Sequence, residues 1–284
     1  MNILVTGATG FIGSHLLQKL ERNRFKIFAL RRNKSQIIKN KNIFWINKGL
    51  EELDLIDLKD IETVIHLASV GVSPKIASIK ELEDINVKES LRLITLANIA
   101  GVKRFIATGT CLEYGEEANN WLKIPPDATL KPLCSYSKSK AKSFKLLYEY
   151  SCKNEIQLFY GRIFSAYGEG QYINNFWPSL KLAAITGNNF SMTSGNQIRD
   201  FIKVKEVVQH ILNAIFRKDI LIGKPLVVNI GSGYGQSLKE FALKEWKNFG
   251  AKGELLPGKL ENRTNEIKQM VANIENLNIK NLKH

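Results

Sequence analysis

The sequence predicts an α/β protein: a doubly wound parallel sheet, joined by a smaller, discontinuous C-terminal lobe. Three observations predict it. The chain opens on a short apolar run that enters a cluster of three glycines and then an amphipathic helix. Apolar runs and helical patterns then alternate to about residue 165. Beyond that point the rhythm breaks into a segment rich in Gly and Tyr, Tyr167-Gly168-Glu169-Gly170-Gln171-Tyr172.

The elements follow in order. Residues 2–6 form the first strand, and Ile12, Leu16, Leu17 and Leu20 share one face of the helix after it. Residues 26–30 are a second apolar run. Strand, helix and strand within about thirty residues make a βαβ unit, whose handedness and buried strands imply a parallel sheet. Residues 43–46 and 63–68 read as strands, the latter fully buried. A helix follows over 86–99, with Val87, Leu91, Ile94 and Ala97 in register and Gly101 closing it. The spacing then predicts a strand over 104–108, a helix over 137–150 and a strand over 157–162. Helices over 176–186 and 204–216 come next, and 226–230 is a late strand that returns to the sheet. The division is therefore 1–166, with 201–230 returning to it, against a second lobe of 167–200 and 231–284. That lobe is weakly patterned. The short tail after Val271-Ala272-Asn273 predicts a curtailed terminal helix.

With 284 residues, 44% hydrophobic and 24% charged, the composition is that of an ordinary soluble globular protein. Only short apolar runs occur, against the ~20 residues of a spanning helix, and no basic, cleavable leader precedes the first strand. Cys111, Cys134 and Cys152 form no CxxC pair, which points to a reducing cytoplasm. Four scattered histidines give no metal-ligand spacing. The 41 basic and 27 acidic residues leave a net charge of +14. Charge alone leaves open nucleic acid, an anionic membrane, small polyanions or a solvated lysine-rich surface. The basic residues are dispersed, with short clusters at 31–41 and 138–145, and carry no aromatic-interleaved RNA motif.

Gly7-Ala8-Thr9-Gly10-Phe11-Ile12-Gly13 lies between the first strand and helix. Its first glycine permits a tight turn, the second lets the backbone approach a pyrophosphate, and the third lets helix and sheet pack closely. The helix amides then face the phosphates. This is the Rossmann-type placement. It makes Gly7, Thr9, Gly10, Phe11, Ile12 and Gly13 cofactor-binding candidates, with Leu67 and Ala68 at the end of the 63–68 run. The second strand ends in Leu30-Arg31-Arg32-Asn33, without the carboxylate that would accept from the ribose of NAD. A guanidinium matches a 2′-phosphate in charge and geometry, so Arg31 and Arg32 favour NADP(H), with NAD(H) still open. The competing reading is that they face solvent, a question more open for Arg32.

Tyr136 and Lys140 are four apart at the start of a predicted helix and share a face. A phenol with a pKa of ~10 is a poor proton carrier at neutral pH. A nearby ammonium lowers that value, and Lys140 can also hold the nicotinamide ribose. The pair alone is common on surface helices. Here the polar run Thr108-Gly109-Thr110-Cys111-Leu112-Glu113-Tyr114-Gly115 stands upstream, at a strand's carboxyl end.

The GxxGxxG spacing resembles the short-chain dehydrogenase/reductase superfamily. Val5-Thr6-Gly7-Ala8-Thr9-Gly10-Phe11-Ile12-Gly13-Ser14-His15-Leu16 resembles its extended, sugar-nucleotide-modifying branch, the NAD(P)-dependent epimerase/dehydratase family. The resemblance implies that Thr110 is the catalytic hydroxyl beside Tyr136, and that Asn86 is the helix asparagine supporting an ordered water behind Lys140. Arg162-Ile163-Phe164-Ser165-Ala166-Tyr167-Gly168 resembles the family's Arg-x-Phe-Asn-x-Tyr-Gly, with Ser165 in place of Asn. The run Arg199-Asp200-Phe201-Ile202-Lys203-Val204 resembles the segment whose arginine binds the sugar nucleotide. Asn229-Ile230-Gly231-Ser232-Gly233 and the pair Arg263 and Glu266 match later motifs. Arg199 and Arg263 suit a substrate diphosphate; structural salt bridges are the alternative.

Dehydratases of the family resemble one another in an Asp-Glu pair directly after the catalytic Thr. This chain has Cys111-Leu112, and leucine transfers no proton. The segment instead resembles the Gly-Thr-Cys-x-Glu-Tyr of reductases acting on CDP- or dTDP-4-keto-6-deoxyhexoses. The resemblance thus implies NADPH-dependent reduction of a C4 ketone on a nucleotide-diphosphate sugar, for deoxysugar or lipopolysaccharide biosynthesis. It also implies a cytoplasmic homodimer without nucleic-acid or membrane partners. A 4-epimerase holding NAD is the rival, and a basic RNA-associated protein on the same fold a second. The intact Thr110, Tyr136 and Lys140 speak against the latter. Cys111 is a substrate-contact candidate. With Cys134 it is either an acid/base for C3 or C5 epimerisation or a small packing residue. His66 reads as a satisfied structural histidine, and Glu113 as a substrate contact or a loop residue.

Overall fold

The computed structural model describes residues 1–21, 25–32, 42–72, 74–262 and 266–277. Seven of the strands among them make one parallel sheet: β1 (Asn2–Thr6), β2 (Lys26–Leu30), β3 (Ile43–Ile46), β4 (Thr63–His66), β5 (Arg104–Thr110), β6 (Gln157–Ile163) and β10 (Leu226–Ile230). Their order is β10-β6-β5-β4-β1-β2-β3. The chain leaves β1 toward β2 on one side and returns to β4 on the other, so the order reverses between β1 and β4. In such sheets ligands bind outside the strands' carboxyl ends at that reversal.

Helices cover both faces. α1 (Phe11–Leu20) and α5 (Val204–Phe216) bury Leu16, Leu17, Leu20, Val207, Val208 and Ile211 on one face. On the other lie a helix over 79–99, called α2, and α3 (Ser135–Lys153), with Leu93, Ile94, Ala97 and Leu147 in the core. The helix expected over 86–99 therefore begins seven residues earlier. Ser78 caps it, accepting from Glu81 N–H while the Glu81 carboxylate accepts from Ser78 N–H. Its Leu82–Lys88 stretch is π-wound, and the wider turn breaks the 3.6-residue pattern that sequence reading relies on. α3 runs longer at both ends than the predicted 137–150.

Beyond β6 the chain builds small sheets. β7 (Ser165–Tyr167) pairs with β9 (Ile198–Lys203), which also pairs with β11 (Gly235–Ser237) and β13 (Gln269–Met270). β8 (Phe190–Met192) pairs with β12 (Leu255–Pro257). α4 (Phe176–Thr186) and α6 (Leu238–Asn248) pack Leu180, Ala184, Ala242 and Trp246 with Met192. The fully buried Asp200 on β9 ties this region to the end of β10. It accepts from the amides of Ser232 at 2.7 Å, Gly233 at 2.9 Å and Ala272 at 3.1 Å.

Candidate active site

The first turn of the βαβ unit is built as its glycines require. Gly7 has φ +67°, and a β-carbon there would sit 2.6 Å from Ala68 N, so the turns after β1 and β4 press together. A β-carbon at Gly13 would lie 2.1 Å from the Gly7 carbonyl oxygen, which fixes how closely α1 meets the turn. Gly10 starts the helix with no side-chain cap, and the first turn carries no acidic residue. Helix-start amides with neither competitor nor opposing charge fit the diphosphate of a dinucleotide. Thr9 is exposed on this turn, Phe11 and Ile12 are half-buried, and Leu67 and Ala68 face it from the end of β4. Arg31, just past β2, donates from Nε to Asn47 Oδ1 at 2.8 Å, and its guanidinium lies 4.6 Å over the Trp45 ring. Arg31 thus has a set position at the sheet's edge; Arg32 beside it is exposed.

Thr110 closes β5 and turns the chain. Its Oγ1 accepts from Leu112 N–H at 3.3 Å, and its own N–H donates to Glu113 Oε1 at 2.9 Å. Glu113 is wholly buried and also takes Tyr160 O–H at 2.9 Å and Arg162 Nε at 2.7 Å. Arg162 in turn donates to the Pro126 carbonyl at 2.8 Å and stacks 4.2 Å from the Phe144 ring. Of the two readings of Glu113, the structure favours the loop residue: its lone pairs are committed to holding the Thr110 turn. Cys111 is buried beside Tyr114, Ala118, Ile124, Phe164, Met270 and Ala272, and burial pushes its thiol up to about 12. Burial among these side chains fits the packing reading of Cys111, because a desolvated thiol holds its proton. Cys134 is exposed, with Sγ 3.2 Å from Ser137 Oγ.

Tyr136 and Lys140 occupy the first turns of α3, Lys140 buried and Tyr136 half-buried. The expected lowering of the phenol pKa by the ammonium is not what the protein's own groups produce. Burial raises the Tyr136 phenol, with Glu113, Cys111 and Cys134 adding to it and the Ser69 hydroxyl opposing. Burial also lowers Lys140, against the pull of Glu113. Desolvation outweighs the pairing that the four-residue spacing suggests.

Asn86 lies in the π-wound stretch of α2 and is fully buried. Its Oδ1 accepts from Val70 N–H at 2.9 Å and from Ser69 Oγ at 3.0 Å. Its Nδ2 donates to the Val70 carbonyl at 3.1 Å and to Ser139 Oγ at 3.0 Å. Asn86 therefore ties the turn after β4 to α3, one residue from Lys140. His66 is the satisfied structural histidine expected, 2.7 Å from Thr6 Oγ1 and 2.8 Å from Ser90 Oγ. Sequence reasoning missed Ser69, Ser90 and Ser139. Arg199 reaches this end of the sheet from β9, close enough to Cys111 for its charge to act on the thiol. It is three-quarters or more buried, donates to its own strand's Ile198 carbonyl at 2.8 Å and pairs with Glu266 at 3.4 Å. Arg263 lies outside the described residues.

A family model of the NAD dependent epimerase/dehydratase family matches residues 3–231. The chain belongs to this family. It shares 29% identity over 289 residues with the CDP-abequose synthase of Salmonella typhimurium, covering 97% of this chain and 90% of that one. With a putative UDP-glucose 4-epimerase of Methanocaldococcus jannaschii it shares 28% over 267 residues, 89% of this chain and 84% of the other. Among solved structures, MoeE5 in complex with UDP-glucuronic acid and NAD superposes with a TM-score of 0.85 at 28% identity, covering 98% and 91% of the two chains. The protein is an NAD(P)-dependent enzyme of the epimerase/dehydratase family, on a Rossmann-type parallel sheet. Among the described residues no helix is long and apolar enough to cross a membrane, and no group of His, Cys, Asp and Glu could hold a metal ion.

Proposed function

We propose that the protein uses NADPH to reduce the C4 ketone of a nucleotide-activated 4-keto-6-deoxyhexose, a step of deoxysugar biosynthesis for surface polysaccharide. One observation carries the reading. The turn after Thr110 offers no second proton-transfer group: Leu112 is apolar, the Cys111 thiol is held at about 12, and the Glu113 carboxylate is committed to Arg162, Tyr160 and the Thr110 amide. A 4,6-dehydration needs acid and base groups beyond the tyrosine; a carbonyl reduction does not. A relative named CDP-abequose synthase supports a deoxysugar nucleotide as substrate.

A nicotinamide cofactor held at the glycine turn would supply the hydride for the ketone carbon. Tyr136 gives its proton to the alkoxide forming at O4, and buried Lys140 holds the nicotinamide ribose beside it. Thr110 Oγ1 already accepts from Leu112 N–H, which leaves its own proton to donate to the ketone oxygen. The uncapped start of α1, with Gly7, Gly10 and Gly13, holds the cofactor diphosphate, and Arg31 with Arg32 receives the 2′-phosphate. Arg199 faces the substrate diphosphate, with the region after β6 forming most of the sugar-nucleotide pocket.

The test is NADPH oxidation against a panel of dTDP-, CDP-, GDP- and UDP-linked 4-keto-6-deoxy sugars, with Tyr136→Phe as control. Turnover of one panel member, abolished in the variant, is expected. No turnover with any of them removes the reading. The relative named a putative UDP-glucose 4-epimerase, with the neighbour solved with UDP-glucuronic acid and NAD, favours a second reading, a 4-epimerase with resident NAD. That enzyme releases NAD on denaturation and consumes no NADPH.

A further inference from the structure

Between the glycine turn and the start of α3 runs one line of hydrogen bonds, and backbone groups fix its directions. Ser139 Oγ donates to the Tyr136 carbonyl at 2.8 Å and accepts from Asn86 Nδ2 at 3.0 Å. The Asn86 main-chain carbonyl accepts from Ser90 Oγ at 2.8 Å. A hydroxyl has one proton. With it given to Asn86, Ser90 Oγ can only accept across the 2.8 Å to His66 Nε2, so Nε2 carries the ring proton. Nδ1 of the neutral ring is then an acceptor, and Thr6 Oγ1 donates to it across 2.7 Å. Thr6 Oγ1 in turn accepts at 3.3 Å from the N–H of Ala68, the residue whose amide Gly7 packs against.

Thr6, His66, Ser90 and Asn86 are all buried, so none of these bonds is exchanged with water. No proton can travel the length of the line. It ends on an amide N–H and a main-chain carbonyl, and at Asn86 it passes from the main-chain oxygen to the side-chain nitrogen. It is a brace, and His66 is the one member that reaches from β1 to α2. The Phe105 ring packs beside the imidazole with centroids 5.9 Å apart, and Lys140 is the cation whose charge reaches it.

We propose that His66 is a positioning residue: its ring, with the proton on Nε2, sets the turn that faces the dinucleotide and the start of α3 in one rigid frame. The inference rests on the reading of the glycine turn as the cofactor site and of Tyr136 as proton donor. Neither side of the ring has a substitute partner. Without the Ser90 hydroxyl, Nε2–H is buried with no acceptor and the ring is free to tilt at its Thr6 end. Without the Thr6 hydroxyl, Nδ1 and the Ala68 amide both lose their partner. Each loss is therefore felt at the opposite end of the brace.

The test uses full-length protein. Histidines labelled with 15N report the tautomer in the parent, and the His66 signals are those lost in His66→Gln. A protonated Nε2 with a bare Nδ1 at neutral pH is expected; the opposite tautomer overturns the inference without any other variant having to fold. Ser90→Ala should weaken the dinucleotide, NADPH or NADH, whichever the parent binds more tightly, by roughly threefold to tenfold in equilibrium titration. Thr6→Val should move the 13Cζ resonance of Tyr136, identified as the one lost in Tyr136→Phe, and Thr6→Ser, which keeps the hydroxyl, should leave it near its place. Both changes act through one ring, so Thr6→Val with Ser90→Ala should lose less affinity than the product of the two single losses. An unchanged affinity in Ser90→Ala with only Tm lowered, strictly multiplying losses, or a Thr6→Ser shift as large as that of Thr6→Val each overturn the inference. None of these readouts needs a sugar. If they come out as expected and no ketosugar is reduced, the brace stands and the reductase reading alone fails.

Discussion

Replacing Glu113 by Gln should unfix the Thr110 turn at a cost that can be worked from its contacts. The carboxylate is wholly buried and takes three donors: Arg162 Nε at 2.7 Å, Tyr160 O–H at 2.9 Å and Thr110 N–H at 2.9 Å. In the variant the amide oxygen can keep two of these, but the amide nitrogen then meets the Arg162 N–H as donor against donor. The guanidinium, itself 1% exposed, stays charged and loses its counterion. Breaking one side of a buried pair costs about 3–5 kcal/mol. At about 2.1 cal/mol/K per residue, 284 residues give an unfolding entropy of about 0.6 kcal/mol/K, so Tm should fall by about 5–8 °C.

Two assays separate stability from chemistry. Calorimetry gives Tm, and steady-state kinetics at a temperature where both proteins are folded gives kcat, which should drop at least about tenfold because the Thr110 hydroxyl is no longer aimed. The double variant Glu113→Leu with Arg162→Met removes both charges for apolar groups, and should lose less stability than the two single changes summed, by about 1 kcal/mol or more. A Glu113→Gln protein within about 1 °C of the parent, or strict additivity in the double variant, would refute the reasoning.

Gly13→Ala places a β-carbon 2.1 Å from the Gly7 carbonyl oxygen; the turn must shift, and cofactor affinity by equilibrium titration should weaken at least about tenfold. Arg31→Asp exchanges a cation for a ribose acceptor at the end of β2, and the kcat/KM ratio of NADPH to NADH should fall by about tenfold or more; an unchanged ratio ends the 2′-phosphate assignment. His66 is held down to about 3 from 6.5, by burial first and the Lys140 charge second. The unfolded chain therefore binds a proton near pH 6.5 that the folded one refuses until about 3, and stability declines through that window by about 1.4 kcal/mol per pH unit. Urea unfolding at about pH 7 and pH 4.5 should show about 2.7 kcal/mol of this loss in the parent and not in His66→Gln; equal acid sensitivity of the two would refute it.

The parallel strands were legible because strands buried on both faces read as continuous apolar runs, and α5 because its apolar face, Val204, Val207, Val208, Ile211 and Ile215, keeps an uninterrupted helical period. The start of α2 was not, since residues 79–85 run into a π-wound stretch, Leu82–Lys88, that does not carry the 3.6-residue period a helix is read from. β11, β12 and β13 were invisible for another reason: strands of two or three residues have too few positions for an alternation to show.

The candidate site divides along the same physical line. Tyr136 and Lys140 stand four apart on one helix, a spacing that a local element fixes, whereas Thr110 and Asn86 were expected from the family resemblance. Ser69, Ser90 and Ser139 act through partners in other elements, and a serine leaves no periodic trace. Glu113 shows most clearly why residue type does not settle a role. A carboxylate one turn from the Thr110 hydroxyl suits a substrate contact and a loop anchor equally, and the choice depends on what else is buried there. Arg162 lies 49 residues away. It meets Glu113 because β5 and β6 pair in parallel, with Gly109 opposite Arg162 and Thr110 opposite Ile163. Side chains at a strand's end therefore belong to the register of the sheet before they belong to any motif, and a buried charge there is first a question of which opposite charge the neighbouring strand delivers.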